Sequence, residues 1–78
     1  MKLTVVSPGG VVLQARAKYV CLPAEDGEAG ILNGHAPLLA ALKAGKVKYD
    51  DEADGVRKTV DIPGGIAEVI NNEVTVII

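Results

Sequence analysis

The feature that most constrains this chain is a two-residue period of apolar side chains, interrupted at short intervals by turn-forming residues. From Val11 to Lys18, apolar residues occupy the odd positions, and all but one of the even positions are polar. Side chains of a β-strand point alternately to opposite faces, so this pattern is typical of a strand with one buried face. Similar stretches recur along the sequence between clusters of Gly, Pro, Asn and Asp, and no long helix is indicated.

Each of these stretches is expected to turn its apolar face inward. Val47 and Tyr49 would face the core from one strand, and Val56, Val60 and Ile62 from the next. Strands are expected at residues 2–6, 11–18, 28–32, 46–50, 56–62, 66–70 and 74–78, and the second of them is expected to continue extended over residues 19–22 until Pro23. The strand after the Pro-Gly-Gly break is expected to pair back on the strand before it. The remaining apolar stretch, residues 38–43, is ambiguous, because it contains good helix formers but is too short for a stable isolated helix.

The number and spacing of these stretches predict one all-β domain over residues 1–78. The expected fold is a small β-sandwich of about ten short, mostly antiparallel strands. A chain of this length buries only about 60–65% of its unfolded surface. Its apolar residues are mainly Val, Ile, Leu and Ala, which can fill a thin core between two sheets but cannot also enclose a deep pocket.

Charge and cysteine content exclude several classes of function. The net charge of −2 provides no basic footprint, which argues against nucleic acid as a partner. The single cysteine, Cys21, cannot form an internal disulfide and suits a reducing compartment. No apolar run approaches the ~20 residues that span a bilayer, and no secretory signal is recognisable. We therefore expect a cytoplasmic protein without direct membrane insertion, associated with a membrane only through a partner.

The titratable residues do not form a recognisable catalytic, metal or cofactor site. His35 has no second histidine beside it, and His35 with Cys21 would give zinc only two protein ligands. Ser7 has no context of a nucleophile, and Cys21 is better interpreted as a small buried residue. The paired glycines at 9–10 and 64–65 lack the Lys and Ser or Thr of a phosphate-binding loop. The acidic residues 50–54 lack calcium-loop spacing and are expected to form a solvated hairpin tip.

The glycine-rich segment, residues 27–42, stands out from the strands around it. It contains three glycines, one proline and the only histidine within sixteen residues. Asn33-Gly34 is a strong signal for a tight turn, since both residue types accept positive φ. From composition alone, His35 is best interpreted as a loop histidine that bonds the backbone of its own turn.

This segment also resembles a known family. Residues 27–45 match the pattern G-E-x-G-I-L-x-x-H-A-P-L-L-x-x-L-K-x-G of the epsilon subunit of bacterial F-type ATP synthases. Further matches are Ser7-Pro8, residues 64–69 and residues 72–76, so the resemblance covers essentially the whole chain. It implies that residues 38–43 form a strand, with Leu38, Ala40 and Leu42 turned inward. Asn33 stands where proline is common in the family, and Asp61-Ile62-Pro63 precedes Gly64-Gly65 where many members have a serine.

The resemblance also implies a function and a contact surface. Epsilon subunits belong to the rotor, lie on the foot of the gamma subunit against the c-ring, and do no covalent chemistry. The resemblance therefore implies a non-catalytic central-stalk subunit, peripheral on the inner face of a bacterial membrane, that couples ion-driven rotation to ATP synthesis. The residues expected to contact gamma and the c-ring are Gly27, Glu28, Gly30, Leu32, Asn33, Gly34, His35, Pro37 and Leu38. Family members typically continue into a two-helix hairpin, whose inhibitory and nucleotide-binding roles are not carried over to these residues.

Two other functions fit a small all-β domain. A biotinyl or lipoyl carrier presents a lysine within Met-Lys-Met or Asp-Lys-Ala, and Lys43 lies in neither pattern. A β-sandwich adaptor would bind short peptides at a sheet edge. The adaptor predicts peptide binding and indifference to ATP synthase subunits, while the carrier predicts a mass shift from the attached cofactor.

Overall fold

The computed structural model describes residues 1–78 and contains eight strands and no helix. The strands are β1 (Lys2–Ser7), β2 (Gly10–Ala24), β3 (Gly27–Leu32), β4 (Leu38–Leu42), β5 (Gly45–Asp51), β6 (Arg57–Ile62), β7 (Gly65–Ile70) and β8 (Glu73–Ile77). All neighbours are antiparallel except β1 and β8, which are parallel. The all-β, mostly antiparallel prediction is confirmed, but the expected count of about ten strands is too high.

Strand β2 holds the two layers of the fold together. Its first half pairs with β1, and its second half lies between β3 on one side and β5 on the other. One layer therefore has the order β3-β2-β5-β6, and the other has the order β2-β1-β8-β7-β4. A single hydrogen-bonded sheet is thus folded over on itself, with the core between its two halves.

A β-bulge at Lys18 explains how one strand serves both layers. Ala17 pairs with Asp51, but Tyr19 pairs with Asp50, so one extra residue of β2 is accommodated between them. An extra residue in a strand bends it and reverses which positions face inward. Ala17 is fully buried before the bulge, and the even-numbered Val20 and Leu22 are fully buried after it. The alternating strand predicted from Val11 to Lys18 and its predicted extended continuation from Tyr19 to Leu22 thus form one strand, in which the bulge changes the buried face.

Pro23 lies within β2 and does not end it. A proline in a strand removes one ladder donor and is tolerated only where no partner needs that donor. The pairing of β5 with β2 ends at Cys21 and Lys48, so the nitrogen of Pro23 lies beyond that ladder. The carbonyl of Pro23 still accepts a hydrogen bond from the Lys43 N–H at 2.9 Å, which joins the end of β2 to β4.

The core is formed by aliphatic side chains from both layers, together with Tyr49. The fully buried large side chains are Leu3, Val5, Val20, Leu22, Ile31, Val47, Val69, Val74 and Val76. The inward orientation of Val47, Tyr49 and Ile62 is confirmed. Val56 was expected inside but is 53% exposed, because it precedes β6 in the hairpin turn. Val11 is 59% exposed, although the alternation placed it on the same face as Leu13 and Ala15. The register between β1 and β2 shifts between Val5 and Val6, and this shift displaces Val11 from the buried face.

Strand β7 does not pair with the strand before it. It lies between β4 and β8 in the other layer, so the expectation that residues 66–70 pair back is wrong. Gly64 and Gly65 both have positive φ and redirect the chain from one layer to the other. Residues 38–42 form a strand, as the family resemblance implied, with Leu42 buried and Leu38 and Ala40 half-buried on the inner face.

Gly65 is the glycine with the strongest steric requirement. Its φ is +139°, and a Cβ added there would overlap the carbonyl oxygen of Ile77 on the paired strand β8. Gly10 is a natural comparison, because its φ is +127° but a Cβ there would meet no atom within 4 Å.

We expect Gly65→Ala to lower the free energy of unfolding by about 3 kcal/mol or more, because backbone strain of roughly 1–3 kcal/mol is joined by overlap with a backbone atom. Gly10→Ala, which has only the strain, is expected to lose about 1–2 kcal/mol. Urea denaturation of both variants measures the difference. Equal losses would show that the contact with Ile77 is not what requires glycine at position 65.

The β5–β6 hairpin carries a network of ion pairs, in which Asp50 and Asp51 are half-buried. The Lys58 ammonium lies 2.9 Å from an Asp51 carboxylate oxygen and 3.1 Å from one of Asp54. Arg57 donates two hydrogen bonds to Asp50, at 2.7 and 3.0 Å. The hydrogen bond from Lys58 lowers the pKa of Asp51, with help from the Ala53 N–H, and the Val56 N–H followed by Lys58 lowers the pKa of Asp54. The two carboxylates raise the pKa of Lys58 to about 12.

Replacing Lys58 with Met should raise the pKa of Asp51 most, raise that of Asp54 less, and leave that of Asp50 low because Arg57 still holds it. NMR titration of the side-chain carboxyl carbons measures all three. The folded-state pKa values of these carboxyls lie below their ordinary value of 3.8, so their contribution to stability is complete above that pH. It is lost as the pH falls through the folded values. A pKa of Asp50 that rises with the other two would contradict separate pairing.

Candidate functional site

Of the residues expected to contact partners, those from Leu32 to Pro37 lie in the segment that connects the two layers of the sandwich. Strand β3 pairs only with β2, and β4 pairs mainly with β7 in the other layer. Residues 32–37 therefore cross from one layer to the other at one end of the fold, and all six are exposed. Asn33-Gly34 forms the tight turn that the sequence predicted, but the strands on either side of it do not pair as a hairpin.

The backbone of this exposed turn, residues 32–37, has a defined geometry. The His35 N–H donates to the Leu32 carbonyl at 3.1 Å, and Gly34 at the third position of the turn has φ +82°. This is the arrangement of a type II turn, which requires positive φ at its third residue. The imidazole Nδ1 of His35 lies 2.6 Å from the Ala36 carbonyl oxygen. Since a carbonyl can only accept, the proton must lie on Nδ1, and the other face of the exposed ring is left toward solvent.

Two residues distant in sequence anchor the turn. The Gly34 N–H donates to the Asn72 side-chain oxygen at 2.7 Å. The Met1 amino group donates to the Asn33 side-chain oxygen at 3.1 Å and to the Ala17 carbonyl at 2.9 Å. Asn72 is available because the β7–β8 turn holds it at φ +60°. Nothing in the local sequence pattern around Asn72 shows that its side chain reaches residue 34.

Glu28, the one carboxylate among the residues expected to contact gamma and the c-ring, lies at the other end of β3. Glu28 is exposed, and one of its carboxylate oxygens lies 3.5 Å from the Lys48 ammonium and 3.6 Å from the Cys21 sulfur. Cys21 is 8% exposed, so its interpretation as a small buried residue is confirmed. It lies on the outer face of its layer, however, and is not part of the main core cluster.

Gly30 is explained by a close approach within the chain. The Tyr19 side chain lies across it, so that a Cβ added at Gly30 would be 2.8 Å from the tyrosine hydroxyl. The Arg57 guanidinium lies 5.5 Å from the centre of the same ring, within the range of a cation–π contact. Interaction with the neighbouring Cys21 side chain raises the pKa of Tyr19. The glycine thus accommodates a stacked Arg-Tyr pair on the outer face.

The structure separates the predicted residues into two groups. Gly27 and Glu28 lie at one end of β3 and Leu32 to His35 at the other, about 16 Å apart at ~3.3 Å per residue. Pro37 is exposed beside the second group, while Leu38 points inward and is half-buried. The neighbouring Leu39 is 72% exposed and was not predicted as a contact residue, although its odd position opposite the inward-facing residues of β4 was a usable signal.

No three His, Cys, Asp or Glu side chains are grouped so that they could hold a metal ion. Every buried side-chain nitrogen or oxygen has a hydrogen-bond partner. No helix capable of crossing a membrane is found in the structure.

Comparison with known proteins identifies a family that shares this fold. The model of the family described as "ATP synthase, Delta/Epsilon chain, beta-sandwich domain" matches residues 1–78. The ATP synthase epsilon chain of Lawsonia intracellularis is 46% identical over 99% of this chain and 56% of its own length. That of Symbiobacterium thermophilum is 44% identical over 99% of this chain and 55% of its own. The chain thus spans about half the length of these curated relatives.

Two solved structures share the fold. A chain in the Euglena gracilis mitochondrial ATP synthase, solved with OSCP, F1 and the c-ring, matches 96% of this chain and 48% of its own length, with a TM-score of 0.86 and 26% identity. A chain from the central stalk and c-ring of the Tetrahymena thermophila mitochondrial enzyme matches 99% of this chain and 61% of its own, with a TM-score of 0.79. At 20% identity, the second match supports the fold alone. The chain belongs to the family of ATP synthase delta/epsilon chain β-sandwich domains.

Proposed function

We propose that this domain is a non-catalytic part of the central stalk of an F-type ATP synthase. It binds the gamma subunit and the c-ring, so that ion-driven rotation of the ring reaches the sites of ATP synthesis. The observation that carries the proposal is the exposed turn, residues 32–37, in a chain that is 46% identical to an ATP synthase epsilon chain. Through this complex the domain is peripheral on the cytoplasmic face of a bacterial membrane.

The anchoring of the exposed turn suits a contact that bears load. A loop that transmits torque must resist deformation. This turn is held by the hydrogen bond from the Gly34 N–H to the Asn72 side chain and by the one from the Met1 amino group to the Asn33 side chain. Leu32 is 61% exposed and provides an apolar side chain beside polar Asn33 and His35. An apolar anchor with a polar surround is the usual composition of an interface centre.

Glu28 supplies charge at the other end of β3. Its salt bridge to Lys48 is long, at 3.5 Å, and 61% of the Glu28 side chain is exposed. Exposed pairs of this kind contribute little to folding stability, so the carboxylate is free to serve recognition. A charge at one end of the surface and an apolar turn at the other would fix the orientation of a partner.

We expect the chain to bind purified gamma subunit with one-to-one stoichiometry in titration calorimetry. Glu28→Ala and His35→Ala should each weaken binding about tenfold, the effect of losing roughly 1.4 kcal/mol at an interface. Asp61→Ala is the matched control, since Asp61 is also an exposed carboxylate paired with a lysine but lies on β6, the opposite edge of the same layer. If unaltered chain gives no heat and does not co-elute with gamma, the proposed function is wrong.

The anchor of the turn can be tested separately. Asn72→Gly keeps the positive φ of the β7–β8 turn but removes the acceptor for the Gly34 N–H, so it should weaken gamma binding severalfold with little loss of stability. Asn71→Gly is its control, because Asn71 also has positive φ (49°) but does not bond Gly34. Calorimetry with both variants measures the difference. Equal affinities would mean that the position of the turn does not depend on Asn72.

A further inference from the structure

We propose that the free edge of β3 binds an extended, positively charged segment of the gamma subunit as an additional strand. The inference rests on the proposed function, since gamma is the partner that would supply the segment. It adds the mode of binding: main-chain hydrogen bonds along β3, and one small aliphatic side chain of the partner seated between the two layers.

The hydrogen-bonding pattern shows which groups of β3 are free. At the end of β2, the Pro23 carbonyl accepts a hydrogen bond from the Lys43 N–H, and the N–H of Glu25, just after the strand, donates to the Ala41 carbonyl. Both groups therefore point toward β4 and the residue that follows it. Because these directions alternate along a strand, Val20, Leu22 and Ala24 point toward β3, where they pair with Ile31, Ala29 and Gly27. The backbone groups of the residues between those partners point outward, away from β2. They are the N–H and C=O of Glu28 and Gly30 and the N–H of Leu32, whose carbonyl is taken by His35.

A cleft lies directly beneath this edge. Because β3 and β4 belong to different layers and do not pair, the sandwich is open between them. The cleft is lined by Ala24, Glu25, Asp26, Ala29, Leu38, Leu39, Ala40 and Ala41. Ala29, Leu38 and Ala40 point inward yet are only half-buried, which marks this as the incompletely covered side of the core. A strand added to β3 would cover them, because every second side chain of that strand would point into the cleft.

The opposite edge of the same layer has different protection. Strand β6 carries Arg57, Lys58 and Asp61, and each forms an ion pair at 2.7–3.1 Å. Charged side chains on an edge strand are a common means of preventing another strand from adding there. Strand β3 has one charged residue, Glu28, no proline and no bulge. Of the two edges, β3 is the one that is left open to pairing.

The charge around the cleft specifies the kind of segment that fits. Glu25 and Asp26 form the β2–β3 turn at one end of the cleft, and Glu28 follows on the outer face. Lys48 is the only ammonium paired with any of these three carboxylates. The added strand should therefore have a Lys or Arg near the β2–β3 turn and a small aliphatic residue, of alanine or valine size, above Ala29 and Ala40.

The decisive comparison is Glu28→Pro against Glu28→Ala, with binding to purified gamma subunit measured by calorimetry. Both variants lose the carboxylate, but only proline also removes the outward N–H, which has no partner within the fold. We expect Glu28→Pro to bind at least tenfold more weakly than Glu28→Ala. Urea denaturation confirms that both are folded. The double variant Glu25→Lys and Asp26→Lys should also lose affinity for gamma, and this loss should be larger at low salt than at high salt.

Hydrogen exchange of the unaltered chain supplies an independent readout. On binding gamma, the amides of Glu28, Gly30 and Leu32 should gain protection, while those of Ala29 and Ile31 are protected already by β2. If the proline and alanine variants bind gamma with equal affinity and the alternating protection is absent, edge pairing is wrong and the proposed function still stands. The same protection arising from self-association, without gamma, would identify a second copy as the occupant and also overturn the inference. Failure of the unaltered chain to bind gamma would overturn both proposals.

Discussion

The bulge at Lys18 is the local feature on which the rest of the fold depends. Without it, the residues of β2 that face inward before Ala17 would continue in the same phase, and Tyr19, Cys21 and Pro23 would enter the core. The extra residue instead directs Val20 and Leu22 inward and lets one strand belong to both layers. A chain of 78 residues has few side chains for its core, so a strand that contributes to both layers uses them efficiently.

Much of the fold could be predicted from local pattern, because a two-residue period reports directly on which face of a strand is buried. Val47, Tyr49 and Ile62 were placed correctly for this reason. The burial of a residue was predicted wrongly where a register shift or a bulge breaks the two-residue period, because the amino-acid composition does not show either feature. Val11 is displaced by a register shift with β1, and the change of buried face within β2 was not predicted, because the extra residue at the bulge leaves no mark in the local composition. The pairing of β7 with β4 was missed, since it depends on which layer the chain enters after Gly65.

The candidate site was less predictable than the fold, because its residues are held by contacts that are distant in sequence. The tight turn at Asn33-Gly34 was expected, yet its anchors are Met1 and Asn72, which come from opposite ends of the chain. A local motif specifies what the backbone can do at a position, such as adopt positive φ. It does not specify which side chain arrives to satisfy the exposed N–H of Gly34, because that depends on how the β7–β8 turn packs beside β1.

The glycine-rich segment, residues 27–42, also shows why a high density of glycines does not by itself locate a contact surface. Gly34 provides the positive φ of the exposed turn, whereas Gly30 makes room for the Tyr19 side chain of the same chain. Only the first of these serves directly to present side chains outward. The second has an indirect consequence: with no side chain of its own, Gly30 leaves the outer face to Tyr19 and leaves its backbone groups unobstructed along the edge. The absence of a side chain at Gly30 thus has two results, which are the packing of Tyr19 and the accessible edge of β3. A partner strand would use the space that the packing of Tyr19 already requires.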